Sequence, residues 1–304
     1  MKKRQQREQR EQRRKKPITV AITGAVLASA VLSACGGAAS GRSPEPLPTP
    51  SGVVRPPSVR KGLPRDITAM VLPATGADTR LTQGLDGFAQ MVGHARLTEC
   101  VEGEGVNPPE AAPPAYIGWS DLPDLGFIGR HGLTRSVPAT ADAERPSPKG
   151  RKDPAAQQRC VAEAHAAIKA FKDLYAPLQS LWWPEVAAVR DDPRAREALR
   201  SLPGCLGRYG IDVDDEDGFF ALVDRTVQRT EDAEEAARAD RGLGAAYATC
   251  MAPVEAVREP LRTSRRTAFH ASHRGEMLAL ERSLLPRIRE LERRHGLSFA
   301  RPVP

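Results

Sequence analysis

Apolar residues recur at helical spacing along most of this 304-residue chain. Phe88, Met91, Val92 and Ala95 stand at i, i+3, i+4 and i+7, which places them on one face of a helix. Ala164, Ile168, Phe171, Tyr175, Leu178 and Trp182 advance in steps of four and three, and Leu243, Ala246, Cys250, Val254, Val257, Leu261 and Ala268 carry the rhythm onward. Met277, Leu280, Leu284, Ile288 and Leu291 complete it. Period-two alternation is nearly absent, so the spacing predicts an all-α fold, a helical bundle with long C-terminal helices. Pro253, Pro260 and Pro286 each delete a backbone donor and crowd the preceding turn. Each is expected to kink or interrupt the last region, giving two or three helical pieces roughly end to end, with Gly296 as the stop.

Two stretches depart from this rhythm. Between Gly36 and Arg65 stand seven prolines with Gly and Ser and almost no large apolar residue, a composition too poor in apolar surface to order itself. It reads as a disordered tether, able to extend several tens of ångströms at ~3.1 Å per residue. Between Asn107 and Pro154 a second Pro-rich stretch reads as linker, except for an apolar island around Tyr116, Trp119, Leu122, Leu125 and Phe127 that is expected to fold back onto the helices. The resulting division is residues 1–34, a tether over 35–65, a small helical segment plus linker over 66–153, a main helical domain over 154–297 and a disordered tail over 298–304. The two helical parts together, about 230 residues, are ample for a buried core.

Charge then separates residues 1–34 from the rest. Residues 1–16, MKKRQQREQREQRRKK, hold nine Lys or Arg against Glu8 and Glu11, and Pro17 to Ala34 carries no charge at all. A basic stretch followed by about 18 uncharged residues, marginal for a ~30 Å bilayer core, is the pattern of a secretion signal. The uncharged run ends in Leu32-Ser33-Ala34-Cys35-Gly36, which resembles the lipobox of bacterial prolipoproteins, where the Cys thiol is diacylglycerylated and the signal is cut just before it. Arg13-Arg14 is followed by Lys-Lys-Pro rather than an apolar pair, which disfavours twin-Arg export. Two acyl chains on Cys35, at ~0.8 kcal/mol per buried methylene, would hold the mature chain on the outer face of the cytoplasmic membrane. Without residues 1–34 the formal charge of +7 falls to zero, with 36 basic and 36 acidic residues left. The high pI thus gives no support for nucleic-acid binding.

Setting Cys35 aside leaves Cys100, Cys160, Cys205 and Cys250, an even number for an oxidising compartment, and two disulfides are expected. Four cysteines allow three pairings, but a faint duplication favours one of them. Cys100 begins C-x4-G-Val106-Asn107 and Cys205 begins C-x4-G-Ile211-Asp212, while Arg159-Cys160-Val161-Ala162 parallels Thr249-Cys250-Met251-Ala252. The first type puts a Cys in the last turn of a helix closed by a left-handed Gly and an apolar staple; the second lies on a buried stripe. If each repeat closes on itself, the bridges are Cys100 to Cys160 and Cys205 to Cys250. No C-x2-C spacing points instead to metal.

The lipobox, the Pro-rich tether, Leu72-Pro73, the helix ending in C-x4-G, the DLPDLGFIGRHG segment at 121–132 and the second C-x4-G before a long helix carrying Cys250 together resemble a group of actinobacterial helical lipoproteins of unassigned function. The strong preference for Arg over Lys after residue 34 agrees with a GC-rich coding sequence. In that group a Trp usually stands shortly before the second C-x4-G and Met follows its Cys, whereas here Pro203-Gly204 precede Cys205 and Leu206 follows it. The resemblance implies an address and a helical fold; it brings no activity and no cofactor.

Other candidate chemistry is weaker than its structural alternative. His270, His273 and Glu276 at i, i+3, i+6 would begin a zinc site, yet the set lacks further ligands and sits beside Arg274, so a solvated helical face is preferred. Asp212 to Gly218 fails the EF-hand register, and Asp214 to Asp217 read better as capping and electrostatically favouring a helix that begins at Phe219. Trp182-Trp183 offers an aromatic platform for a sugar ring, set against a core role for Trp182 and a covering role for Trp183. Residues 212–240 hold eleven acidic and three basic side chains and 255–294 ten Arg and six Glu; a basic face for anionic lipid or teichoic acid is one reading, and mutual pairing of two neighbouring helices is preferred. Taken together, the residues predict a non-catalytic envelope lipoprotein, an adaptor or binding protein whose partners are the membrane through Cys35 and another envelope protein or cell-wall polymer. An envelope enzyme whose site assembles only in three dimensions is the competing class.

Overall fold

In the computed structural model, residues 44–48, 58–109, 122–134 and 150–303 are described in full, with the backbone of 115–116 and 137–138. Cys35, the predicted signal and most of the predicted tether lie outside the described residues. Ten helices account for most of the described residues: α1 (Thr68–Val71), α2 (Gly76–Glu104), α3 (Leu125–His131), α4 (Pro154–Lys172), α5 (Ala176–Ala187), α6 (Pro193–Leu199), α7 (Leu202–Arg208), α8 (Glu216–Arg229), α9 (Ala233–Ser272) and α10 (Arg274–His295). A 3-10 turn over Ala188–Asp191 joins α5 to α6. The fold is all-α and disulfide-linked, as the apolar spacing predicts.

Most helix starts follow from side chains that satisfy the first free N–H groups. Thr75 and Asp78 form a reciprocal capping box at α2. Asp153, Asp192, Asp215 and Asp232 each accept a backbone N–H at the start of α4, α6, α8 and α9. Within the predicted 214–217 run, Asp215 is the cap and Glu216 and Asp217 stand in the first turn, so the helix starts three residues earlier than Phe219. Pro253, Pro260 and Pro286 do not break the helices that contain them: α9 runs unbroken for 40 residues, about 60 Å, and the one break falls at His273. All three prolines lie on exposed positions, so the carbonyls they leave unbonded one turn earlier face solvent and can be hydrated rather than buried.

Three clusters of apolar side chains fill the body. The largest joins Met70 to Leu72, Phe88 and Met91 of α2, Phe171, Tyr175 and Trp182, Phe269 at the end of α9, and the Met277 to Leu291 stripe of α10. A second gathers Ile128 of α3, Leu202 and Leu206 of α7, Phe219 and Val223 of α8, and Leu243 to Val254 of α9. A small third one surrounds Cys100 and Cys160. The first two draw on both sides of residue 154, so the predicted boundary between a 66–153 segment and a 154–297 domain does not divide the core. Leu122 and Phe127 are buried, in keeping with an island folded back.

The chain termini correct the sequence reading further. Residues 298–303 are not a disordered tail, and the described part of 35–65 is not all disordered tether: β1 (Ser58–Lys61) pairs antiparallel with β4 (Ala300–Val303), Val59 opposite Pro302. The cause is Phe299, fully buried against Phe88 with its N–H bonded to Glu292 at 2.7 Å. Gly84 of α2 permits the approach, since a side chain there would meet the Ala300 carbonyl at 2.9 Å. Residues 44–48 also lie on the body, with the Glu45 N–H donating to Arg208 O at 2.7 Å. Inside the predicted linker, β2 (Ala115–Tyr116) pairs with β3 (Val137–Pro138).

Candidate functional site

The four remaining cysteines pair within each repeat. Cys100 bridges to Cys160 and Cys205 to Cys250, with Cα separations of 5.4 and 5.6 Å. The duplication is also one of geometry. Gly105 (φ 61°) and Gly210 (φ 74°) both take the left-handed conformation that follows a helix end. In each, the Gly N–H donates to the carbonyl three residues back, and Val106 or Ile211 donates five residues back, to Val101 and Leu206. Val106 and Ile211 are buried as staples, and Cys160 and Cys250 are buried on their helices.

The other sequence candidates do not converge. His273 stacks on Phe269 with ring centroids 4.0 Å apart, and its Nδ1 lies 3.0 Å from the Phe269 carbonyl. Among the described residues no group of three or more His, Cys, Asp or Glu side chains is placed to hold a metal ion. Trp182 is fully buried and donates through Nε1 to the Pro73 carbonyl at 2.8 Å. Trp183 is half-buried and lines a pocket.

That pocket belongs to a feature the apolar stripe conceals. Up to Val254 the buried face of α9 follows the predicted positions; beyond it, Val257 and Leu261 are only half-buried and Ala268 is exposed. Glu255, Arg258 and Arg262 take the interior instead, each no more than 5% exposed. They lie along α9 between its contribution to the second cluster, which ends at Val254, and its contribution to the first, Phe269. A charged belt thus occupies the junction of two apolar cores, where unpaired charge is expensive.

Its bonds are unequal. Arg262 donates through Nε to the Ala74 carbonyl at 2.7 Å and through Nη2 to Glu255. Glu259 accepts the Gly76 N–H at 3.1 Å, and Arg266 pairs with Asp78 at 2.7 Å. These three residues of α9 hold the start of α2. Arg258 is held loosely, reaching Glu255 and Glu216 at 3.4 to 3.5 Å. Glu216 meanwhile accepts the Tyr247 hydroxyl at 2.7 Å; burial pushes that hydroxyl well above its ordinary pKa, and the Glu216 charge pushes the same way. Arg265 pairs with Glu185 of α5 and Arg287 with Glu290 of its own helix. The predicted pairing of the 212–240 and 255–294 segments is thus represented by Arg258 and Glu216, and the other bonded Arg residues named here turn to α2, α5 or their own helix.

The pocket, about 210 Å³, opens beside this belt. Trp183, Val186 and Ala187 of α5, Val189 and Arg190 of the 3-10 turn, and Arg258 and Arg262 of α9 line it. No acidic side chain is among these residues.

Asp240, also buried on α9, accepts the N–H groups of Leu133 (3.0 Å) and Thr134 (3.2 Å) and so ties the turn after α3 to α9. Burial pushes its carboxyl above the ordinary carboxylate range, outweighing those N–H bonds and the Arg241 charge, which pull it down. The folded state therefore binds this proton more tightly than the unfolded chain. The stability the group contributes is full below the unfolded carboxylate value and is lost as pH rises through the raised one. Urea unfolding should show the wild type gaining stability relative to Asp240→Asn as the pH is lowered from about 7 to about 4. A difference that stays constant over that range would refute the assignment.

Among the described residues no helix is long and apolar enough to cross a membrane. No protein-family model matches the chain, nor does any curated protein or solved structure.

Proposed function

We propose that this chain is a bacterial lipoprotein, anchored through acylated Cys35 to the outer face of the cytoplasmic membrane, and that its helical body serves as a non-catalytic adaptor or binding subunit of the cell envelope. The observation that carries the reading is the lipobox at Leu32 to Gly36, placed behind nine basic residues and an uncharged run. Two features support it. The other four cysteines are paired with one another, so Cys35 is the one thiol left over, and two disulfides suit an oxidising compartment. The resemblance to actinobacterial helical lipoproteins points the same way.

Mass spectrometry of the N-terminal peptide from membranes tests the anchor. The expected result is a mature chain beginning at residue 35 with a diacylglyceryl group on sulfur, and a Cys35→Ser chain that keeps its first 34 residues. An N-terminus elsewhere, or a free Cys35 thiol, overturns it. Cross-linking on intact membranes tests the adaptor role: a second envelope protein or wall polymer should be recovered with the body. Recovery of the protein alone at every cross-linker length overturns that part.

A further inference from the structure

We propose that the pocket between α5, the 3-10 turn and α9 is a binding site for an oxyanion, the phosphate or carboxylate end of a larger molecule, with Arg258 as its principal contact. This specifies the ligand chemistry of the binding role proposed above. It does not depend on the lipid, because loss of acylation with anion binding intact would remove the anchor and leave the pocket.

Arg258 carries the argument. Its residue is 5% exposed and lines the pocket, yet its Nε has no hydrogen-bond partner among the described residues. Its contacts with Glu216 and Glu255 are 3.4 to 3.5 Å long, against about 2.7 to 2.9 Å for a well-made charge-assisted bond. Arg262, one turn on, shows what a closely held guanidinium looks like in the same belt, with a 2.7 Å bond to a buried carbonyl and a close bond to Glu255. A buried guanidinium with loose partners and an unused donor is costly, and a plain apolar side chain would join the two cores better. The cost is offset when an anion in the pocket draws the guanidinium away from its long carboxylate contacts, since Nε and one Nη form a fork matched to two oxygens of a carboxylate or phosphate.

The walls select among ligands. Arg190 and Arg262 add positive charge, and the absence of acidic side chains from the lining argues against a cation. At about 210 Å³ the space is smaller than a typical whole-ligand site. That space suits one anionic end group rather than a whole ligand. Val186, Val189, Ala187 and Trp183 form apolar walls, with the Trp183 ring available to an adjoining flat or aliphatic part.

Calorimetry and tryptophan fluorescence on the full, disulfide-bonded chain test the site with three probes: inorganic phosphate, benzoate and a monoalkyl phosphate in monomeric form. At least one should bind saturably at one site per chain. Arg258→Lys, which keeps the charge and loses the fork, should weaken that binding about tenfold. Ala187→Glu places a carboxylate at an exposed position of the lining and should abolish it while leaving the helical spectrum unchanged and without lowering the unfolding midpoint. Alkyl phosphate above phosphate would mark a lipid or polymer end group as the source, and benzoate above both a free carboxylate. Saturable binding equal in the wild type and Ala187→Glu, or no saturable binding of any probe at millimolar concentration, overturns the proposal.

Discussion

Glu255→Ala is expected to destabilise the protein by about 3 to 5 kcal/mol, the cost of leaving buried charge without its counterion. One carboxylate, 4% exposed, serves both Arg258 and Arg262. Its loss would leave Arg262 bonded to the Ala74 carbonyl and Arg258 facing only Glu216 at long range. Neither guanidinium escapes by losing its proton, since arginine stays charged in proteins. The double substitution Glu255→Met with Arg262→Met removes a charge of each sign and puts apolar volume where two apolar cores meet, so it should recover most of the loss. Urea unfolding of the three chains measures both effects. A single variant within about 1 kcal/mol of wild type would mean that the belt is open to water or that the ion pair is not formed.

The same belt explains where the amino-acid sequence could and could not be read. Apolar spacing located the helices because each has to bury a stripe, and Phe88, Trp182, Cys250 and the Met277 to Leu291 series are all interior. The cysteine pairing was legible because two C-x4-G ends and two buried helical cysteines recur in the same order. The candidate site was not legible by that route. After Val254 the sequence offers apolar residues at 257, 261 and 268, and following them turns the stripe away from the interior. Holding the phase set by Tyr247, Cys250 and Val254 instead leads to Arg258 and then Arg262. A charged residue at a fixed core phase is the signal, and it is the reverse of what a search for apolar residues seeks. The tail was misread for a related reason: one aromatic, Phe299, fixes a short strand whose own alternation is too brief to register.

Replacing either disulfide, as Cys100→Ala with Cys160→Ala or Cys205→Ala with Cys250→Ala, should cost about 4 kcal/mol. The bridged residues are 60 and 45 positions apart, and a logarithmic dependence makes that difference worth only about 0.3 kcal/mol. Local packing should therefore rank the two. Cys250 lies inside the second cluster beside Tyr247, Met251 and Val254, whereas Cys160 sits in the small third cluster with Val101, Val106 and Ala156. Loss of the Cys205 to Cys250 bridge leaves a void in the larger core in addition to the freed chain, so it should be the costlier of the two. Denaturant unfolding supplies a check that does not rest on the midpoint alone: an unlinked denatured chain exposes more surface, so the slope of stability against denaturant should steepen in both variants. An unchanged slope and midpoint would show that the bridges do not constrain the unfolded chain, and peptide mapping that joined Cys160 to Cys205 would remove the within-repeat pairing altogether. With a domain's total stability of about 5 to 15 kcal/mol, loss of both bridges would use much or all of the margin. A body built this way should persist where thiols are oxidised and weaken where they are reduced, which ties its stability to the redox state of its compartment.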